Sequence, residues 1–206
     1  YAGLLTINTG ATVSVTGAFG DAAVVGRDGG DGAVVQSGGL FRFGMTGGSF
    51  NVGASSSAST ASRYEMNGGV FDLVSHNLNV AFFGIGAFTG AVYQAGGVIS
   101  NVNQLTLGNA SAFGSYTLAG GSLFLGAGGI VGTPGRCAVN LGGGTVAASA
   151  SWTSPLNMNL TNLNGSVTFD TAGNAVTLNG VLSGNGGLIK RGAGGTLALT
   201  NANSYA

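Results

Sequence analysis

The sequence predicts an all-β protein, a parallel β-helix (β-solenoid) built as a single continuous rod with Gly-rich corners. Three observations carry the prediction. Gly-Gly pairs at Gly38-Gly39, Gly47-Gly48, Gly68-Gly69, Gly96-Gly97, Gly120-Gly121 and Gly142-Gly143 each follow a short apolar stretch and open another. From Gly38, skipping the pair at Gly47, they recur after 30, 28, 24 and 22 residues. Self-similarity on that scale marks a solenoid, each repeat adding one coil to a common core. Between the pairs, apolar residues alternate with period two and show no helical period. Composition is the third observation: 42 of 206 residues are glycine, well above the roughly 7% of an average protein. Yet 44% are apolar, enough to fill a core and too many for a disordered linker. Two prolines and no Gly-X-Y period exclude collagen.

Taken in order, the elements fit one lap after another. Tyr64-Glu65-Met66-Asn67-Gly68, Tyr93-Gln94-Ala95-Gly96 and Tyr116-Thr117-Leu118-Ala119-Gly120 place a tyrosine shortly before each corner, and stacking them predicts an aromatic ladder up one side of the rod. The small polar run from Ala54 to Ser62 reads as an extended loop or lateral bulge. Alternation is clearest at Leu105-Thr106-Leu107, Leu123-Phe124-Leu125, Leu156-Asn157-Met158-Asn159-Leu160, Val176-Thr177-Leu178 and Leu197-Ala198-Leu199. Each sets two or three apolar side chains on one strand face with mostly Thr or Asn on the other. Such short strands do not persist as isolated hairpins but become stable when stacked. Composition shifts near Pro134, dividing Gly-Gly/Tyr coils over 1–133 from Asn/Thr-rich coils over 134–206, with no flexible linker between them. The chain therefore reads as one segment, and its start on Tyr1 suggests a piece of something longer.

Charge narrows the function classes. Six Lys or Arg and six Asp or Glu make 6% charged residues with zero net charge, against about 25% in typical domains. No basic stripe is present for nucleic acid, and little repulsion opposes self-association. No apolar run approaches the roughly 20 residues of a membrane helix, so no membrane insertion is expected within this segment.

The candidate chemical residues are sparse. Carboxylates Asp21, Asp28, Asp31, Glu65, Asp72 and Asp170 are mostly far apart, where a polysaccharide-cleaving site needs a close pair. Asp28 and Asp31, in Gly26-Arg27-Asp28-Gly29-Gly30-Asp31-Gly32, could present two oxygens to calcium, but the motif does not repeat and turn chemistry is the expected role. His76, the only histidine, has Asp72 nearby in sequence; it reads as a loop histidine and not as part of a triad. Cys137, the only cysteine, reads as a small buried thiol, with an intermolecular bridge as the minor option. Lys190-Arg191 reads as a solvated corner. Trp152 reads as a core plug before an exposed sugar platform. No catalytic, cofactor or metal residues are therefore assigned, and no cofactor is expected.

Residues 181–206 end Gly186-Gly187-Leu188-Ile189-Lys190-Arg191-Gly192-Ala193-Gly194-Gly195-Thr196-Leu197-Ala198-Leu199-Thr200-Asn201-Ala202-Asn203-Ser204-Tyr205-Ala206. This order resembles the autotransporter-associated β-strand repeat: Gly, Leu, Lys, Gly, Gly-Thr-Leu, Leu, then Asn and Tyr. Arg191 and the extra Gly195 are small departures. The resemblance implies a right-handed parallel β-helix in an exported bacterial surface protein, located extracellularly or on the cell surface. It implies no particular activity, because one scaffold serves many functions. Tyr1-Ala2 repeats Tyr205-Ala206, which suggests tandem repetition or stacking of subunits. The function expected is a structural, non-enzymatic block of a secreted fibre or stalk, partnered head-to-tail with itself through uncapped ends. The alternative is an adhesin whose lateral loops, Ser55 to Ser62 or Asn77 to Gly90 with Phe82, Phe83 and Phe88, hold a glycan or host partner.

Overall fold

The computed structural model describes residues 3–17, 23–55 and 60–206, and every regular element among them is a β-strand. Coil 1 runs through β1 (Gly3–Ile7), β2 (Thr12–Gly17) and β3 (Ala23–Arg27). Coil 2 holds β4 (Gly32–Gln36), β5 (Leu40–Met45) and β6 (Ser49–Ser55), and coil 3 holds β7 (Ala61–Met66), β8 (Val70–Asp72) and β9 (Asn77–Gly84). In coil 4, β10 (Thr89–Gln94) is followed by the long β11 (Val98–Leu107), and in coil 5, β12 (Phe113–Leu118) by β13 (Ser122–Gly132). Coil 6 comprises β14 (Cys137–Leu141), β15 (Gly144–Ala148) and β16 (Trp152–Ser154). Coil 7 comprises β17 (Met158–Leu160), β18 (Val167–Asp170) and β19 (Ala175–Leu178). Coil 8 follows with β20 (Leu182–Gly184), β21 (Leu188–Arg191) and β22 (Thr196–Leu199), and β23 (Ser204–Tyr205) opens a ninth.

The strands stack into a three-faced solenoid. The first face is an unbroken ladder, β1-β4-β7-β10-β12-β14-β17-β20-β23, and the second is β2-β5-β8-β11-β13-β15-β18-β21. The third carries β3-β6-β9 with the far halves of β11 and β13, then β16-β19-β22. Every strand pairing among the described residues is parallel. At ~4.8 Å per layer, eight coils make a rod about 38 Å long. The corner at Pro134 does not interrupt it, since Tyr116 pairs with Val139 and Leu123 with Val146 across that corner.

Lap length sets the cross-section, and the core changes with it. Successive partners on the first face lie 29, 30, 28, 24, 23, 19, 24 and 21 residues apart. The long early laps are filled by rings. Phe41 stacks on Phe71 at 5.0 Å, Phe71 on Tyr64 at 4.8 Å, and Phe50 stands edge-on to all three. Shorter laps above hold mostly aliphatic ladders such as Ile99, Leu123 and Val146.

The expected tyrosine ladder is not formed. The register pairs Val34, Tyr64, Val92, Tyr116 and Val139 inside, while Tyr93 pairs with Glu65 and Thr117 outside. Tyr93 stands three residues before its Gly-Gly pair and the other two stand four before theirs, and one residue in a strand reverses the face. The buried tyrosines have another use. Tyr64 donates to Gln36 Oε1 one coil below, and Gln36 Nε2 donates to the carbonyls of Gly38 and Val70. Two coils higher the arrangement repeats: Tyr116 donates to Gln94 Oε1, and Gln94 Nε2 donates to the carbonyls of Gly97 and Ser122.

The glycine corners are close approaches between laps. Gly97 has φ +68°, and a Cβ there would lie 2.7 Å from the Gly69 carbonyl oxygen of the coil below. Gly39, Gly69 and Gly121 occupy the same corner with φ of +66°, +80° and +76°. The series continues one residue later than the sequence suggests. Leu118 pairs with Leu141 and Ser122 with Thr145, so Gly120-Gly121 stacks under Gly143-Gly144, a step of 23 and not 22. Gly47-Gly48 lies at a different corner, between the second and third faces.

Tyr116→Phe leaves the buried Gln94 oxygen without its donor and should cost about 1–3 kcal/mol. Tyr93→Phe, on the outside, should change stability by no more than ~0.5 kcal/mol. Urea unfolding of the two variants checks the register.

Burial holds the Tyr64 and Tyr116 hydroxyls well above their usual pKa of 10.0. The folded state therefore keeps protons that the unfolded chain sheds, and this stability is whole below pH 10 and lost as pH climbs toward the folded values. In a Cys137→Ser background, which removes the raised thiol, the urea midpoint should hold level from pH 8 to about 9.5 and fall above ~10, less steeply when Tyr116→Phe is added.

Candidate functional site

The polar candidates are spent on the solenoid's own corners. Asp31 Oδ1 accepts the Ala61 amide at 2.7 Å, tying the coil 1 corner to the start of β7. Asp28 has φ +48° and an ion pair with Arg27 at 3.2 Å. Asp72 Oδ1 accepts from the Val74 amide and from Asn101 Nδ2, with Arg42 3.8 Å from its other oxygen. Asp170 accepts the Ala172 amide, and Glu65 accepts from Asn67. Asp21 lies outside the described residues. Among the described residues no group of three or more His, Cys, Asp or Glu side chains could share a metal ion.

His76 sits in the corner between β8 and β9. Its Nδ1 donates to the Leu73 carbonyl at 2.8 Å, and its ring meets Phe43 edge-on at 5.0 Å. Asp72, turned to Val74 and Asn101, makes no hydrogen bond to it among the described contacts. Cys137 pairs with Gly114 and packs half-buried against the core, which raises its thiol pKa by desolvation. Trp152 is buried as a core plug, its ring lying over Gly129, where a Cβ would come within 2.9 Å of it. Lys190 and Arg191 are not at a corner but in β21. Lys190 occupies the ladder position of Phe169 one coil down and donates to the Gly192 carbonyl.

Two surfaces remain. One is a cavity of about 520 Å³ at coil 1, lined by Leu5, Val25, Val34, Phe41 and Phe50, which is the interior of the solenoid seen end-on. At coil 8 the corresponding interior side chains Leu188, Leu197 and Leu199 are likewise only partly covered.

The other surface is lateral. Asn77 to Gly90 is not a loop: β9 continues to Gly84 and β10 begins at Thr89, leaving a short corner. Phe88 is buried in a small cluster with Ala81 and Ala112 and is not available to a partner. Phe82 and Phe83, by contrast, are 38% and 49% exposed, Ile85 is 81% exposed, and Phe113 on the next coil is 40% exposed. Two successive strand residues face outward together because the ladder slips at this point, between Val52 and Ala54 opposite, with Ala81 at φ +52°. Such a bulge re-aims side chains at a cost in backbone strain. Asn109 fixes the result: its Nδ2 donates to the Phe82 and Gly84 carbonyls, and its Oδ1 accepts from the Ser111 and Ala112 amides.

Of the two loops expected to bind, Ser55 to Ser62 falls largely outside the described residues: 56–59 are not described, Ser55 ends β6, and Ala61 begins β7. On this surface the sequence reading names Phe82, Phe83 and the buried Phe88, but not Ile85, Asn109 or Phe113. The usable signal was Phe82-Phe83 itself, since two adjacent large apolar residues cannot both point inward from a regular strand.

No family model, no curated protein and no solved structure matches this chain. The likeness of residues 181–206 to the autotransporter-associated repeat therefore stands on the residues quoted for it. No helix long and apolar enough to cross a membrane is present among the described residues.

Proposed function

We propose that the chain is a structural, non-catalytic block of a secreted bacterial fibre or stalk, which associates with further coils end to end. The observation that carries this reading is the unbroken parallel first face, in which each coil continues the one below it in register. The edge strand of such a parallel stack can pair with a further coil, from the same polypeptide or another copy. The corner duties of Asp28, Asp31, Asp72 and His76 support a scaffold and not an acid–base centre. Near-zero net charge lowers the barrier to self-association, and the resemblance of residues 181–206 supports an extracellular or surface location. The lateral aromatic corner favours a second reading, an adhesin that holds a glycan.

Electron microscopy and sedimentation of the purified chain test the first reading. The expected result is linear oligomers whose lengths step by about 40 Å, the height of eight coils. A monodisperse monomer at every concentration, with hydrolytic or lyase activity on polysaccharide, would contradict it.

A further inference from the structure

The lateral corner of coils 3 to 5 is a built platform. The slipped ladder at Ala81, the fourfold bonding of Asn109 and the Ala81, Phe88, Ala112 cluster beneath hold Phe82, Phe83 and Ile85 outward. Phe113 follows directly, its amide donating to the Phe88 carbonyl. Above it the Gly114 amide donates to the Arg136 carbonyl, so Arg136 stands next along the axis from Phe113. Arg136 is exposed, and the ion pairs of the described residues, Arg27–Asp28, Arg42–Asp72 and Arg63–Glu65, do not include it.

Size and charge select the occupant. At roughly 200 Å² per large side chain, the observed exposures leave about 400 Å² of apolar surface, the size of a functional patch. Two such patches face to face would bury ~800 Å², short of the roughly 1,000 Å² expected of a stable protein interface. A chain of sugar rings fits the scale, since the C–H face of a pyranose covers one aromatic ring. The rim adds the exposed Ser111, Thr89 with its hydroxyl turned to the Thr60 carbonyl, and one guanidinium outside the ion pairs of the described residues, with no carboxylate among these residues. A guanidinium pairs with a carboxylate through two parallel hydrogen bonds.

We propose that this corner binds an acidic polysaccharide, its hexuronate rings lying on Phe83 and Phe113 with a carboxylate on Arg136. The assignment rests on the corner alone and does not depend on the stalk reading.

The test is titration of the whole chain with an oligogalacturonate and with a neutral glucan oligomer of equal length, at low and high salt. The expected result is saturable binding of the oligogalacturonate, weakened by salt, and none of the glucan. Phe83→Ser with Ile85→Ser, at exposed positions, should leave the melting curve in place and weaken binding about tenfold or more. Arg136→Gln should weaken it by about tenfold and remove most of the salt dependence. Equal binding by the variants, equal affinity for the glucan, or no binding of the oligogalacturonate would each overturn the proposal. So would a dimer in sedimentation that disappears with Phe83→Ser and Ile85→Ser, which would make the corner a contact between copies.

Discussion

In-register parallel stacking is the constraint on which everything else in this molecule depends. Each inward side chain must fit the one below and the one above, because the layers are separated by only ~4.8 Å. The sequence therefore varies less by position along the chain than by position around the lap. Leu5, Val34, Tyr64, Val92, Tyr116 and Val139 form one such column, and Phe41, Phe71, Ile99, Leu123, Val146 and Phe169 another. A rod built this way needs neither disulfides nor salt bridges. Its ion pairs are largely exposed and contribute little.

Stacking alone does not choose the register, since apolar columns tolerate sliding of one layer over another by two residues. The two Gln–Tyr pairs supply the choice. Gln36 and Gln94 are fully buried, and a buried amide left without partners is costly. Each finds them only when a tyrosine sits one coil above and the corner carbonyls sit alongside. The motif is readable as Val-x-Gln-x-Gly-Gly in one coil and Tyr-x-Met/Leu-x-Gly-Gly in the next, recurring with a two-coil period. Asn pairs between coils do similar work, one buried and two exposed. Asn79 donates to Asn51, Asn103 to Asn77 and Asn159 to Asn140 across successive coils.

Much of the architecture was legible in the sequence because glycine spacing reports corners directly. What was hidden turned on single residues. Tyr93 looks equivalent to Tyr64 and Tyr116 until the strand period is counted from the corner, and one residue then sends it outside. Gly142-Gly143-Gly144 contains two overlapping pairs, and only the pairing of Thr145 with Ser122 shows which stacks on Gly120-Gly121. The slip at Ala81 is not marked by Ala81 itself, because alanine rarely takes positive φ; only the adjacent Phe82-Phe83 hints at it. Asn109 reaches its carbonyl partners 25 and 27 residues back, a distance fixed by the lap and invisible to local patterning. His76 reads from sequence as a loop histidine, and it sits at the corner between β8 and β9 with Nδ1 on the Leu73 carbonyl; the partners of Asp72, the Val74 amide and Asn101 29 residues on, are set by the lap and not by local sequence.

Disulfide trapping in a Cys137→Ser background tests the register most directly. Ala91 pairs with Ser115 on the outer side of the first face, so Ala91→Cys with Ser115→Cys should close a bridge under mild oxidation, within the reach a disulfide requires. Ala91→Cys with Tyr116→Cys, one residue out of step, should remain reduced. Bridging of the second pair and not the first would contradict the stacked register and, with it, the account of how this chain folds.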